Sequence, residues 1–106
     1  MLGSPFEHVR ILSRSTLVEF WQRYPDAEQP LRAWFQEVES ASWKGPAEIR
    51  ARYGSADFVA GNRVVFNIRG NHYRLVAAVK YAPLFLVYVR FLGTHAEYDH
   101  VDATTV

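Results

Sequence analysis

Between Arg63 and Leu92 the chain reads RVVFNIRGNHYRLVAAVKYAPLFLVYVRFL, and through most of it apolar side chains recur at every second position. A period of two marks strands with one face buried, so this stretch commits the second half of the chain to a sheet. Arg63 to Arg69, His72 to Lys80 and Leu84 to Leu92 are the expected strands, with Asp57 to Ala60 a shorter one before a Gly61-Asn62 turn. Gly70-Asn71 fits a two-residue hairpin loop, which sets Asn67 opposite Arg74 and Arg69 opposite His72. The second hairpin is registered by elimination. A loop at Ala82-Pro83 would place Arg90 on the face of Leu75 and Val79 and bury an unpaired charge. A loop Tyr81-Ala82-Pro83 instead pairs Lys80 with Leu84, Val76 with Tyr88 and Arg74 with Arg90. The expected sheet is an antiparallel meander with unlike faces. Val64, Phe66, Ile68, Tyr73, Leu75, Ala77, Val79, Phe85, Val87, Val89 and Phe91 line one. Arg63, Asn67, Arg69, His72, Arg74, Lys80, Tyr88 and Arg90 line the other, among Val65, Val76 and Ala78.

The first half supplies the cover for the apolar face. In SRSTLVEFWQRYPDAEQ, Thr16 and Glu19 have capping-box spacing, Leu17, Phe20, Trp21 and Tyr24 recur at helical spacing, and Pro25 stops the pattern. Asp26 is the expected cap of a second helix, in which Leu31, Trp34, Phe35 and Val38 fall on one side and Pro30 sits near the first turn. Pro46 to Tyr53 reads as a third, short helix. Trp21 and Trp34 belong to the core by their spacing. The fold class is therefore α+β: N-terminal helices packed on one face of a three- to four-stranded antiparallel sheet.

At 106 residues the chain suits a single domain from 9 to 106, because two pieces would each be too small to bury a core. Residues 1–8, with GSPFE, fit no periodic pattern and read as an extension. The absence of cysteine excludes disulfides and thiolate metal sites. No apolar stretch approaches the ~20 residues that span a bilayer, and no signal segment precedes the first helix, so a cytoplasmic protein without a membrane partner is expected.

The net charge of +1 hides an asymmetry. From Val9 to Glu48 acids and bases nearly balance, but from Ile49 to Gly93 the cations Arg50, Arg52, Arg63, Arg69, Arg74, Lys80 and Arg90 meet only Asp57. A basic sheet face is the footprint of an anionic partner. Guanidinium groups pair with phosphate oxygens, and Tyr88 and His72 can stack on bases, which suits RNA. If the face is catalytic, a 2′-hydroxyl can attack its neighbouring phosphate without a metal or cofactor. Arg74 and Arg90 would stabilise the charge developing on the phosphoryl oxygens, and His95 or Tyr98, in the closing FLGTHAEYDH, would move the protons. Glu97 and Asp99 read as solvated or helix-start acids, with Asp99 also able to orient His95. His95, Asp99 and His100 make only a weak metal set.

The run NRVVFNIRGNHYRLV, followed by VYVRFLGTHAEYD, resembles the HigB family of toxins from type II toxin-antitoxin systems, within the wider RelE-like group. The resemblance spans about Val9 to Val101, with GTHAEYD its most specific part. It implies a RelE-like α+β fold and an mRNA endonuclease that inhibits translation, usually on the ribosome. It also implies neutralisation by a HigA-type helix-turn-helix antitoxin, with a homodimer or a toxin-antitoxin heterotetramer as candidate assemblies. Carried over by position, Arg74, His95 and Tyr98 form the active site. A non-catalytic module that binds RNA or the ribosome and blocks translation is the alternative.

Overall fold

The computed structural model describes residues 9–81 and 83–106. The expected extension, 1–8, and Ala82 of the expected hairpin loop lie outside them. Five strands form one sheet in the order β1-β5-β4-β3-β2: β1 Arg10–Leu12, β2 Asp57–Val59, β3 Arg63–Ile68, β4 Tyr73–Lys80 and β5 Leu86–Thr94. Three helices, α1 Arg14–Arg23, α2 Glu28–Glu39 and α3 Pro46–Arg52, precede β2, and α4, His95–Tyr98, follows β5. The sheet is mixed rather than purely antiparallel, because β1 pairs parallel with β5. The three residues of β1 are too few to show a period.

Helices and sheet meet over the expected face. Leu17, Leu31, Val38, Ile49, Leu75, Ala77 and Val87 are wholly buried there, with Phe20, Trp21, Trp34, Trp43, Phe66 and Tyr73 around them. Both helix starts differ from expectation. Ser13 takes a left-handed conformation, φ 74°, and α1 begins at Arg14 without a side-chain cap, which leaves Thr16 already inside the helix. Before α2 a 3-10 turn, Pro25–Ala27, carries the chain to Glu28. Asp26 is thereby freed from capping. Its carboxylate accepts from the Tyr73 hydroxyl at 2.5 Å and lies 3.4 Å from Arg69 Nη1, tying the helical layer to the β3–β4 turn. That bond to Asp26, with burial, pushes the Tyr73 phenol up to about 12.

The β3–β4 register is the expected one, with Asn67 opposite Arg74. The β4–β5 register is not. Lys80 pairs with Leu86, Val79 with Val87 and Ala78 with Tyr88, so the connection takes 81–85. Between Val76 and Ala77 the ladder then shifts, with Ala77 opposite Val89 and Val76 opposite Phe91. Arg90 is the extra residue of this bulge. Beyond it every β5 side chain changes face. Leu92 packs on the main core, whereas Phe91 joins Val65, Val76 and Ala103 in a second cluster on the far side. Arg74 stands opposite Gly93, not Arg90.

Candidate functional site

Residues opposite one another across a ladder share a face, so the register orders the far face into rows. Asn67, Arg74 and Gly93 form the first row, beside the β3–β4 turn. Val65, Val76 and Phe91 form the second, and Arg63, Ala78 and Tyr88 the third, with Lys80 and Leu86 beyond. The expected basic face, with Val65 and Val76 scattered through it, is therefore divided by an apolar row that Phe91 completes. Tyr98 and Ala103 lie on that row, with the Phe91 and Tyr98 ring centroids 6.4 Å apart.

Arg74 is the one charged side chain buried among the described residues, 9% exposed. Its Nη2 donates to Asn71 Oδ1 at 2.5 Å, and its Nη1 donates to the carbonyls of Tyr73 at 3.3 Å and Asn71 at 3.4 Å. No carboxylate among the described residues pairs with it. A guanidinium held by neutral acceptors keeps its full charge in a partly desolvated place, where it favours an anion more than an exposed cation would. Asn71, which the sequence offered only as a turn residue, thus orients the arginine three positions along.

The segment after β5 is fixed by the end of that strand. Thr94 begins α4 with a capping box: the Glu97 amide donates to Thr94 Oγ1 at 3.1 Å and the Thr94 amide donates to Glu97 Oε1 at 2.8 Å. Gly93 makes room for this. A Cβ there would stand 2.6 Å from the Phe91 ring tip and 3.0 Å from Glu97 Oε1. The His95 amide donates to the His72 carbonyl at 3.0 Å, which brings the β5–α4 junction against the β3–β4 turn. The His95 ring is 44% exposed, its Nδ1 3.4 Å from Asp99 Oδ2. Arg74, Asn71, His72 and His95 accordingly gather at one end of the sheet. Tyr98 faces the neighbouring apolar row, its ring half-buried on Phe91.

The other expected RNA contacts are dispersed. Arg69 turns to the helical side and Asp26, His72 Nδ1 lies 2.9 Å from the Arg69 carbonyl, and Asn67 donates to the Ser55 carbonyl. Lys80 is exposed at the far end of β4. Arg63 Nη2 and Arg90 Nε both donate to the main-chain oxygen of Val106, at 2.9 and 3.1 Å. Among the described residues no three His, Asp or Glu side chains come together as metal ligands, and no helix is long and apolar enough to cross a membrane.

Helices backing one face of a five-stranded mixed sheet make an α+β protein whose architecture is compatible with the RelE-like fold. The sequence model of the HigB toxin family, described as the RelE-like toxic component of a toxin-antitoxin system, matches residues 27–101. The chain belongs to this family: it is the toxin component of a toxin-antitoxin system, and an antitoxin is its implied partner. No curated protein matches the chain.

Proposed function

We propose that this toxin is an mRNA endoribonuclease of the cytoplasm that cuts ribosome-bound messages and is neutralised by a HigA-type helix-turn-helix antitoxin. In the proposed reaction a 2′-oxygen bonds to the adjacent phosphorus and the bond from phosphorus to the 5′-oxygen breaks. The products are a 2′,3′-cyclic phosphate and a 5′-hydroxyl, and no metal or cofactor is required. The observation that carries this reading is the Arg74 guanidinium, buried and without a carboxylate partner among the described residues, one ladder position from the strand end that carries His95. Charge that builds on the phosphoryl oxygens is stabilised most by a cation already fixed in place.

His95 supports the proton transfers in this scheme. Its Nδ1 lies 3.4 Å from Asp99 Oδ2, so in this scheme Asp99 orients the ring and Nε2 exchanges protons with the substrate. Tyr98, on the same short helix, is the second group for this role. Lys80 and Tyr88 on the far face, and Arg63 and Arg90 once released from Val106, extend the path for the RNA backbone; Asn67, Arg69 and His72 shape its entrance. The domain that does this is taken to run over 9–106.

Chemistry of the ends tests the reading. Purified toxin is added to a translating reporter message, and the fragments are offered to a kinase that labels only free 5′-hydroxyls. Labelling without prior phosphatase treatment is expected. Fragments that bear 5′-phosphates would exclude 2′-hydroxyl attack, and blocked translation of an uncut message would establish a non-catalytic inhibitor of RNA or ribosome instead.

A further inference from the structure

The chain after α4 lies across the path between the two basic groups of the far face. Ala103 is buried on Val65 and Val76, the row that separates Arg74 from Arg63 and Arg90. Four residue steps along β4, from Arg74 to Ala78, separate the outer rows, about 13 Å along the strand. At the end of the segment one main-chain oxygen, that of Val106, takes a hydrogen bond from each of two arginines. Two guanidiniums aimed at one oxygen form the arrangement that binds a phosphate.

The segment's hold is slight. The Ala103 methyl is its one buried apolar contact on the sheet; beside it stand the two arginine bonds to Val106 and the Thr104 carbonyl close against Gly61, and its fold is otherwise local: Asp102 accepts from the Thr104 amide and hydroxyl at 2.9 and 2.6 Å, and its carbonyl accepts from the amides of Thr105 and Val106 at 3.1 Å. The two arginines are incompletely used, and Arg90 stays exposed beside the segment. Arg63 Nε is buried and has no acceptor among the described residues, although Nη1 and Nη2 are engaged. Arg90 stands on the bulge, the device by which a strand re-aims a single side chain.

We infer that Asp102–Val106 is a self-covering strap: the Val106 oxygen fills a two-arginine phosphate site formed by Arg63 and Arg90, and the RNA backbone enters by displacing it. This rests on the reading of the chain as an RNA-cleaving toxin. The strap lowers RNA affinity by the fraction of time that it is open, so a strap open about a tenth of the time weakens binding about tenfold.

The test uses the full chain and a short oligoribonucleotide with 2′-deoxy sugars, which binds without being cut, followed by fluorescence anisotropy. Ala103→Asn, which places an amide against Val65 and Val76, is expected to tighten binding about tenfold. The same substitution in an Arg63→Ala/Arg90→Ala background is expected to change nothing. Equal affinities of Ala103→Asn and the unaltered chain would overturn the strap, as would tightening that survives loss of both arginines. Independently of any substitution, the nuclear Overhauser contacts of the Ala103 methyl with Val65 and Val76 are expected to disappear when the oligonucleotide binds. Contacts that persist while RNA is bound would overturn the strap and leave the nuclease reading standing. Failure of the chain to bind RNA at all would overturn both.

Discussion

Gly93→Ala reaches the site through packing alone. Gly93 lies opposite Arg74 and directly before the residue that caps α4. A methyl group at this position would meet the Phe91 ring at 2.6 and 3.1 Å and the Glu97 carboxylate at 3.0 Å. The carboxylate is the end of a flexible side chain and can swing away, but it then gives up the Thr94 amide. Half the capping box goes with it, about 0.5–1 kcal/mol. The ring has less freedom, because Phe91 packs with Val65, Val76 and Tyr98. Forcing it aside costs about 1–3 kcal/mol, as overpacked sites do. The substitution is therefore expected to cost about 1.5–4 kcal/mol, a large fraction of the roughly 5–15 kcal/mol that holds a small domain together. Urea unfolding at equilibrium measures this directly, with Gly54→Ala as the reference, since no atom lies within 4 Å of the Cβ that would be added there. If the two variants unfold at the same urea concentration, the close approach of Gly93, Phe91 and Glu97 is not a constraint and the account of α4 fails.

Arg74→Ala is expected to lower cleavage about 10²–10³-fold, the usual effect of removing a fixed donor from developing charge, with circular dichroism and RNA affinity little changed; loss of folding instead would assign Arg74 to structure. Asn71→Ala is expected to lower the rate less and to be partly restored by Asn71→Ser, because Asn71 only aims the guanidinium. Tyr73→Phe is expected to cost about 1–2 kcal/mol by removing a hydrogen bond to a partly solvated carboxylate. The Tyr73 phenol is raised in the folded chain, so its contribution is complete below pH 10 and is lost as pH rises toward about 12. Stability of the unaltered chain should fall across that window, and the fall should shrink in Tyr73→Phe. Oligonucleotide affinity should fall with salt at a logarithmic slope of about −2, corresponding to about three neutralised phosphates on a single strand.

The sheet was legible because alternation is a physical requirement of a half-buried strand, and the two helical stripes were legible for the same reason at their own period. The second hairpin shows where that reasoning stops. Keeping Arg90 out of the core decides which face each residue takes, but a slip of two positions preserves every face, and the turn settled at 81–85 instead of three residues. The bulge at Arg90 was invisible because VYVRF alternates straight through it. Capping misled in a related way. Thr16-Leu-Val-Glu19 and Thr94-His-Ala-Glu97 carry the same spacing, yet only the second is a cap, since Ser13 starts α1 three residues before Thr16. At the site, Arg74 and His95 were readable from charge asymmetry and from the family motif, and the structure sets both at one end of the sheet. The segment Asp102–Val106 has too little apolar character to announce that it crosses the basic face.

The most direct measurement is primer-extension mapping of a reporter mRNA in a reconstituted translation system, with the unaltered toxin, Arg74→Ala and His95→Ala, each with and without ribosomes. The account predicts discrete new 5′ ends that require ribosomes and disappear in both variants. An intact message under full translational block would contradict it, as would cuts that persist at the same sites when Arg74 is gone.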